Sequence, residues 1–171
     1  MSRMTIFESK MNFGPFECDD VFHVEKSNLY TKLQKGVRIA EFVIRRKIEE
    51  GNAFWIVEAK SSSPQPGKEN FALFISEVAE KWINTFQLTA AASLSRHGEV
   101  NDLPPTFGTF LSPAERLHFV LVMRGHKDEW LPPLSEKLND TLRSFLKTWH
   151  IGPNSIRVLN DARARSEGLI E

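Results

Sequence analysis

A chain of 171 residues, 41% hydrophobic and 26% charged, is long enough for one domain with a full core and short for two. Its 22 Lys and Arg balance 22 Asp and Glu, which excludes a protein whose main work is unspecific phosphate binding through a basic excess. The one cysteine, Cys18, excludes an internal disulfide and reads as a small packed hydrophobe in a reducing compartment.

Met1 to Lys10 lacks the apolar stretch of a signal sequence. The longest apolar run, Phe119 to Met123, falls far short of the ~20 residues that span a bilayer. A cytoplasmic protein without membrane contact is therefore expected. Asn12 to Glu17 reads as a short strand, and Val21 to Glu25 as a strand or the start of a helix. Ser27 is placed to cap a short helix over Asn28 to Leu33, ended by Gly36.

Val37 to Arg45 and Ala53 to Lys60 are rich in β-branched and aromatic residues, as strands are. The link from Lys47 to Asn52 offers Gly51 and Asn52 for a turn, so the two segments form an antiparallel hairpin. Alternation then puts Phe54, Ile56, Glu58 and Lys60 on one face and Trp55, Val57 and Ala59 on the other. Ser61 to Gly67 and Gly98 to Pro113 are dense in breakers and read as long connections. Between them, from Glu69 to about Ser95, Phe71, Phe74, Ile75, Val78, Trp82, Phe86 and Ala90 form a helical stripe.

Leu117 to Met123 is a short buried strand by its apolar run. Pro132 and Pro133 open a helix with an apolar face of Leu134, Leu138, Leu142, Phe145 and Leu146, closed by Gly152-Pro153. Ser155 to Leu159 is a last strand, and Asp161 to Leu169 a closing helix capped by Asn160 or Asp161. Strands alternating with helices in the second half call for parallel strands. The expected fold is one α/β domain over residues 1–171, a mixed sheet with an antiparallel hairpin in its first half and helices on its faces.

The chemistry concentrates on the hairpin. Glu58 and Lys60 close an apolar strand and face the same way, while Glu41 interrupts the other strand between Ala40 and Phe42. If paired residue numbers sum to an odd value near 99 or 101, Glu41 shares the face of Glu58, about 5–8 Å away. An even sum turns Glu41 to the opposite face. A turn centred on Glu49-Glu50 or Glu50-Gly51 gives the odd sum. Two half-buried carboxylates that close need a compensating charge, which Mg²⁺ supplies through oxygen ligands. A lysine beside them orients water or stabilises charge on a phosphate oxygen.

An acid on one hairpin strand and Glu58-x-Lys60 closing the next resemble the PD-(D/E)XK nuclease superfamily, whose fold is restriction-endonuclease-like. The stretch from about Val21 to Met123 is similar to the family's core. The resemblance implies metal binding by Glu41 and Glu58, a catalytic role for Glu41, Glu58 and Lys60, and Glu25 as a further acid upstream. It also implies Mg²⁺ or Mn²⁺ as cofactor and DNA as substrate. The first acid of the family is usually Asp, whereas here it is Glu41 after Ala40. Two other readings stand beside hydrolysis: a non-catalytic binding or regulatory module on the same fold, with a protein partner, and a solvated strand end without a role. Glu8-Ser9-Lys10 repeats the spacing outside any expected strand.

Other residues carry weaker signals. Lys81 sits mid-helix, where some nucleases place a polar active-site group, but a solvated helix face is the plainer reading. Arg45, Arg46 and Lys47, with Lys32, Lys35 and Arg38, offer a basic edge or simple solubility. Arg124 and His126 follow a buried strand at the end where α/β proteins bind ligands, yet His126 has no second His or Cys at metal spacing. His23 stands beside Glu25 with the same ambiguity. Trp55, Trp82, Trp130 and Trp149 read as packing residues, not as a stacking surface. There is no phosphate-binding glycine loop, nucleophile elbow or zinc pattern.

Overall fold

Nine residues from Asn52 to Lys60 form β5, the strand around which the molecule is built. Seven consecutive side chains within it, Ala53 to Ala59, are buried, so both of its faces are covered. The computed structural model describes residues 1–33 and 36–171. Along the chain come β1 (Arg3–Glu8), β2 (Met11–Glu17), β3 (Val21–Phe22), α1 (Asn28–Leu33) and β4 (Phe42–Lys47). After β5 follow α2 (Phe71–Ser93), β6 (Arg116–Met123), α3 (Leu131–Thr148), β7 (Ile156–Asn160) and α4 (Asp161–Ser166).

The main sheet has the order β3-β4-β5-β6-β7. Its first half, β3-β4-β5, is antiparallel, and β6 and β7 then continue parallel to β5. The expected mixed α/β sheet is therefore the observed one. In the central hairpin Phe42 pairs with Val57 and Lys47 with Asn52, so paired numbers sum to 99, the odd register. Ile48 donates its amide to Gly51 at 3.2 Å across the link, and Gly51 takes φ +90°, a conformation open to glycine at little cost.

Two cores result from the alternation along β5. Phe54 and Ile56 point to one side, where Ile75, Val78, Trp82 and Phe86 of α2 and Leu134, Leu138, Leu142 and Leu146 of α3 cover them. Phe107 and Phe110, from the connection before β6, are fully buried there and pack edge-on against Phe54. Each such buried aromatic contributes roughly 1.5–3 kcal/mol by leaving water. Trp55, Val57 and Ala59 point to the other side, beneath the β1-β2 hairpin and Ala164 of α4.

The β1-β2 hairpin forms a separate two-stranded sheet and was not expected over Arg3–Glu8. Met4 and Ile6 keep a period of two, but Phe7, which is exposed, breaks it in the sequence. Val21 to Glu25 divides into the two-residue β3 and a short 3-10 turn. No helix among the described residues is long and apolar enough to cross a membrane.

Candidate functional site

Glu58 is the buried acid at the centre of the site. The alternation of β5 forces its side chain onto the face covered by α2, and it is 0% exposed. A carboxylate removed from water costs several kcal/mol unless it is paired. Two lysines supply the pairing on one oxygen: Lys60 Nζ lies 3.0 Å and Lys81 Nζ 2.7 Å from Oε1. The other oxygen, Oε2, is buried and has no hydrogen-bond partner. Burial alone would lower the Lys81 ammonium, but the Glu58 carboxylate beside it outweighs this and holds its pKa above the ordinary value.

Glu41 faces Glu58 by register, one step beyond the Phe42–Val57 pair. It lies in a bend just ahead of β4, not inside the strand as expected. Its amide still donates to Val57 O at 3.0 Å, continuing the ladder. Helix α2 fixes the approach to it: Thr85 Oγ1 accepts from the Ala40 amide at 2.8 Å, and Asn84 Nδ2 donates to Arg38 O at 2.9 Å. Burial, then the charges of Glu58 and Glu8, push the Glu41 carboxyl up to about 8.

A third acid arrives from a part of the chain that sequence reasoning had set aside. The tip of the β1-β2 hairpin, with Ser9 and Lys10 at positive φ, lies against the end of β5, where Ser9 Oγ donates to Ala59 O at 2.9 Å. Glu8 thereby stands with His23 and Glu25, one donor atom of each within 4.8 Å of the others. Burial first, and Glu25 next, raise the Glu8 carboxyl. Burial, reinforced by Lys26, lowers the His23 imidazolium and favours the neutral ring. His23 Nε2 is buried without a partner.

The expected residues thus gather, and three more join them. Glu41, Glu58 and Lys60 share one face, and Glu25 lies near enough to raise Glu41. Lys81 is not on a solvated face: it reaches across from α2 to Glu58. Glu8 and His23 complete the set. As donors for a divalent cation, Glu8, His23 and Glu25 bring one atom each within 4.8 Å of the others, while Glu41 stands opposite the orphaned Glu58 Oε2 by register.

The other candidates disperse. Arg45 pairs with Asp20 at 3.0 Å, Arg38 with Glu77 at 3.0 Å, and Arg46 stacks on Trp55 at 4.4 Å, so no continuous basic edge forms among the described residues. Lys35 lies outside the described residues. His126 shares a hydrogen bond of 2.9 Å with Ser63 Oγ. Trp55 and Trp82 are core residues as expected, whereas Trp130 and Trp149 are each 47% exposed. Compared with protein-family models, curated proteins and solved structures, the chain finds no match.

Proposed function

We propose that this protein is a divalent-metal-dependent nuclease, hydrolysing phosphodiester bonds in DNA on a restriction-endonuclease-like core in the cytoplasm. One observation carries the reading. A fully buried Glu58 has two lysines on one oxygen and nothing on the other, with Glu41 opposite it in register. An antiparallel hairpin followed by a long helix and a parallel strand agrees with the core of that superfamily.

Glu41 and Glu58 would hold Mg²⁺ or Mn²⁺, with Glu25 and Glu8 beside them; hard oxygen donors suit both ions. When bound, such an ion supplies Lewis-acid activation of phosphate and water. The chain's own residues divide the remaining work. Lys60, whose side chain is 33% exposed, presents an ammonium to the developing charge on a phosphate oxygen or to the attacking water. Lys81, whose side chain is 22% exposed, holds Glu58 in one rotamer and balances its charge. The test incubates plasmid and single-stranded DNA with Mg²⁺ or Mn²⁺, comparing wild type with Lys60→Ala. Loss of cutting in the variant supports the assignment, and equal cutting removes it.

A second reading is a non-catalytic module that binds a partner protein on the same fold. Two lysines already neutralise Glu58 without an ion, and the net charge is zero. Calorimetric titration separates the readings. Binding of a partner protein with no uptake of Mn²⁺ or DNA supports the second.

A further inference from the structure

Just beyond the ends of β5 and β6 lies a groove of about 410 Å³ on the same face as Glu58 and Lys60. It is bounded by the Ser63–Pro66 segment, His126, Trp130 and the first turns of α2 and α3, at Phe71 and Leu134. Its place follows from the register. Lys60 pairs with Met123, and the Arg124 amide donates to Lys60 O at 2.9 Å, so both strands leave the sheet together. Three residues further along each chain, Ser63 Oγ and His126 Nε2 meet at 2.9 Å and form the near wall. Three residues of chain span at most ~10 Å, so the near edge of the groove lies within about that distance of the Lys60 backbone.

Beside His126 stands an aromatic ring left half open. Trp130 is 47% exposed although its backbone is fixed at the start of α3. His126 meets its ring at a right angle, 5.4 Å between centroids, and Lys127 Nζ lies 5.4 Å from the centroid. The loop that carries these residues is tied down: Asn160 Nδ2 donates to His126 O at 3.0 Å and to Asp128 Oδ1 at 2.9 Å. The ring is therefore presented, not mobile by default. Prolines 64, 66 and 133 make the surroundings apolar and stiff, while Gln65 and Glu129 bring hydrogen-bonding groups to the edge.

An exposed, preorganised indole with an apolar floor, just beyond the strand end that carries Lys60, has the chemistry of a stacking platform for an unpaired base. A base within a duplex has both faces covered and cannot enter such a slot without leaving the stack. We infer that this groove holds the base of a nucleotide next to the cleaved phosphate, and that the preferred substrate is single-stranded DNA. The inference rests on the nuclease reading and names the form of DNA that the same site takes.

The test measures anisotropy of a labelled single-stranded oligothymidine, and of a matched duplex, with full-length protein in EDTA. Wild type, Trp130→Ala and Trp130→Phe are compared after thermal melting has shown equal folding. Stacking predicts that Trp130→Ala weakens single-strand binding by about tenfold, that Trp130→Phe stays within about threefold, and that duplex binding is unmoved. Metal-dependent cutting by wild type and Lys60→Ala is recorded alongside. Unchanged single-strand binding in Trp130→Ala, with Lys60-dependent cutting intact, overturns the groove and leaves the nuclease reading standing. Trp130-dependent binding without any cutting keeps the groove as a strand site and removes catalysis. A wild type that binds no single strand overturns the groove outright.

Discussion

Lys81 donates to Glu58 Oε1 at 2.7 Å from the middle of α2, so the buried acid carries a second ammonium beside that of Lys60. Removing it leaves a fully buried carboxylate with Lys60 alone. Lys81→Met is expected to destabilise the fold by about 1–3 kcal/mol, the cost of a buried acceptor losing a charged donor. Lys60→Ala should cost less than about 1 kcal/mol, because its side chain is one-third exposed and its bond is screened. Urea unfolding checks both. On the nuclease proposal the two lysines should then separate by function: Lys60→Ala is expected to abolish cutting in a stable protein, and Lys81→Met to lower both cutting and stability.

Glu41 ties stability to pH. Its folded pKa of about 8 lies above the ordinary 4.5, so between these values the folded state holds more protons than the unfolded one. Stability therefore falls as pH rises from about 4.5 to about 8 and levels off above. Glu41→Gln removes that slope. Metal-free Glu41→Gln should match wild type near pH 4 and exceed it at pH 9 by something on the order of 2 kcal/mol, after allowance for solvent screening. Chemical denaturation across pH in EDTA reads the difference. A variant that loses the site while gaining stability is the usual signature of a strained functional group.

What the sequence discloses and what it hides here follow from how far apart the partners are in the chain. The hairpin register is legible because the turn and both strands lie within one short segment, and parity then decides the face of Glu41. Lys81 is hidden because its helix neighbours Val78 and Trp82 belong to the core stripe, and the stripe alone does not say which flank meets a buried acid. Glu8 is hidden more deeply: its strand pairs only with β2, in a sheet of its own, and reaches the site through the turn at Ser9. Trp130 reads as a packing residue because nothing local marks the loop before α3 as open. In each case the deciding contact is tertiary, and the local pattern alone points elsewhere.

Divalent ions should stabilise the fold if Glu41 and Glu58 receive them. A ligand that binds only the native state adds RT ln(1 + [L]/Kd), or about 2.7 kcal/mol at a hundredfold excess over Kd. Thermal melting with Mg²⁺, Mn²⁺ or EDTA is expected to show an upward shift in wild type and none in Glu58→Gln. Glu25→Gln should keep part of the shift, since Glu25 is exposed and shares its place with Glu8 and His23. A shift equal in wild type and Glu58→Gln would move the ion elsewhere.

Ser9 Oγ donates to Ala59 O at 2.9 Å and so ties the turn between β1 and β2, next to Glu8, to the end of β5. Ser9→Ala removes this bond and should cost about 1 kcal/mol. Its sharper effect is local. Amide exchange at the tip, Ser9 to Met11, should accelerate while β4 and β5 stay protected, because local opening there leaves the main sheet intact. The same release carries the Glu8 charge away from Glu41, whose carboxyl Glu8 helps to raise. Both Ser9→Ala and Glu8→Gln should therefore lower the Glu41 midpoint, the second more fully, as read by carboxyl carbon chemical shifts against pH. An unmoved midpoint in Glu8→Gln would mean that burial and Glu58 alone set it, and that the hairpin tip acts on the site only by covering it.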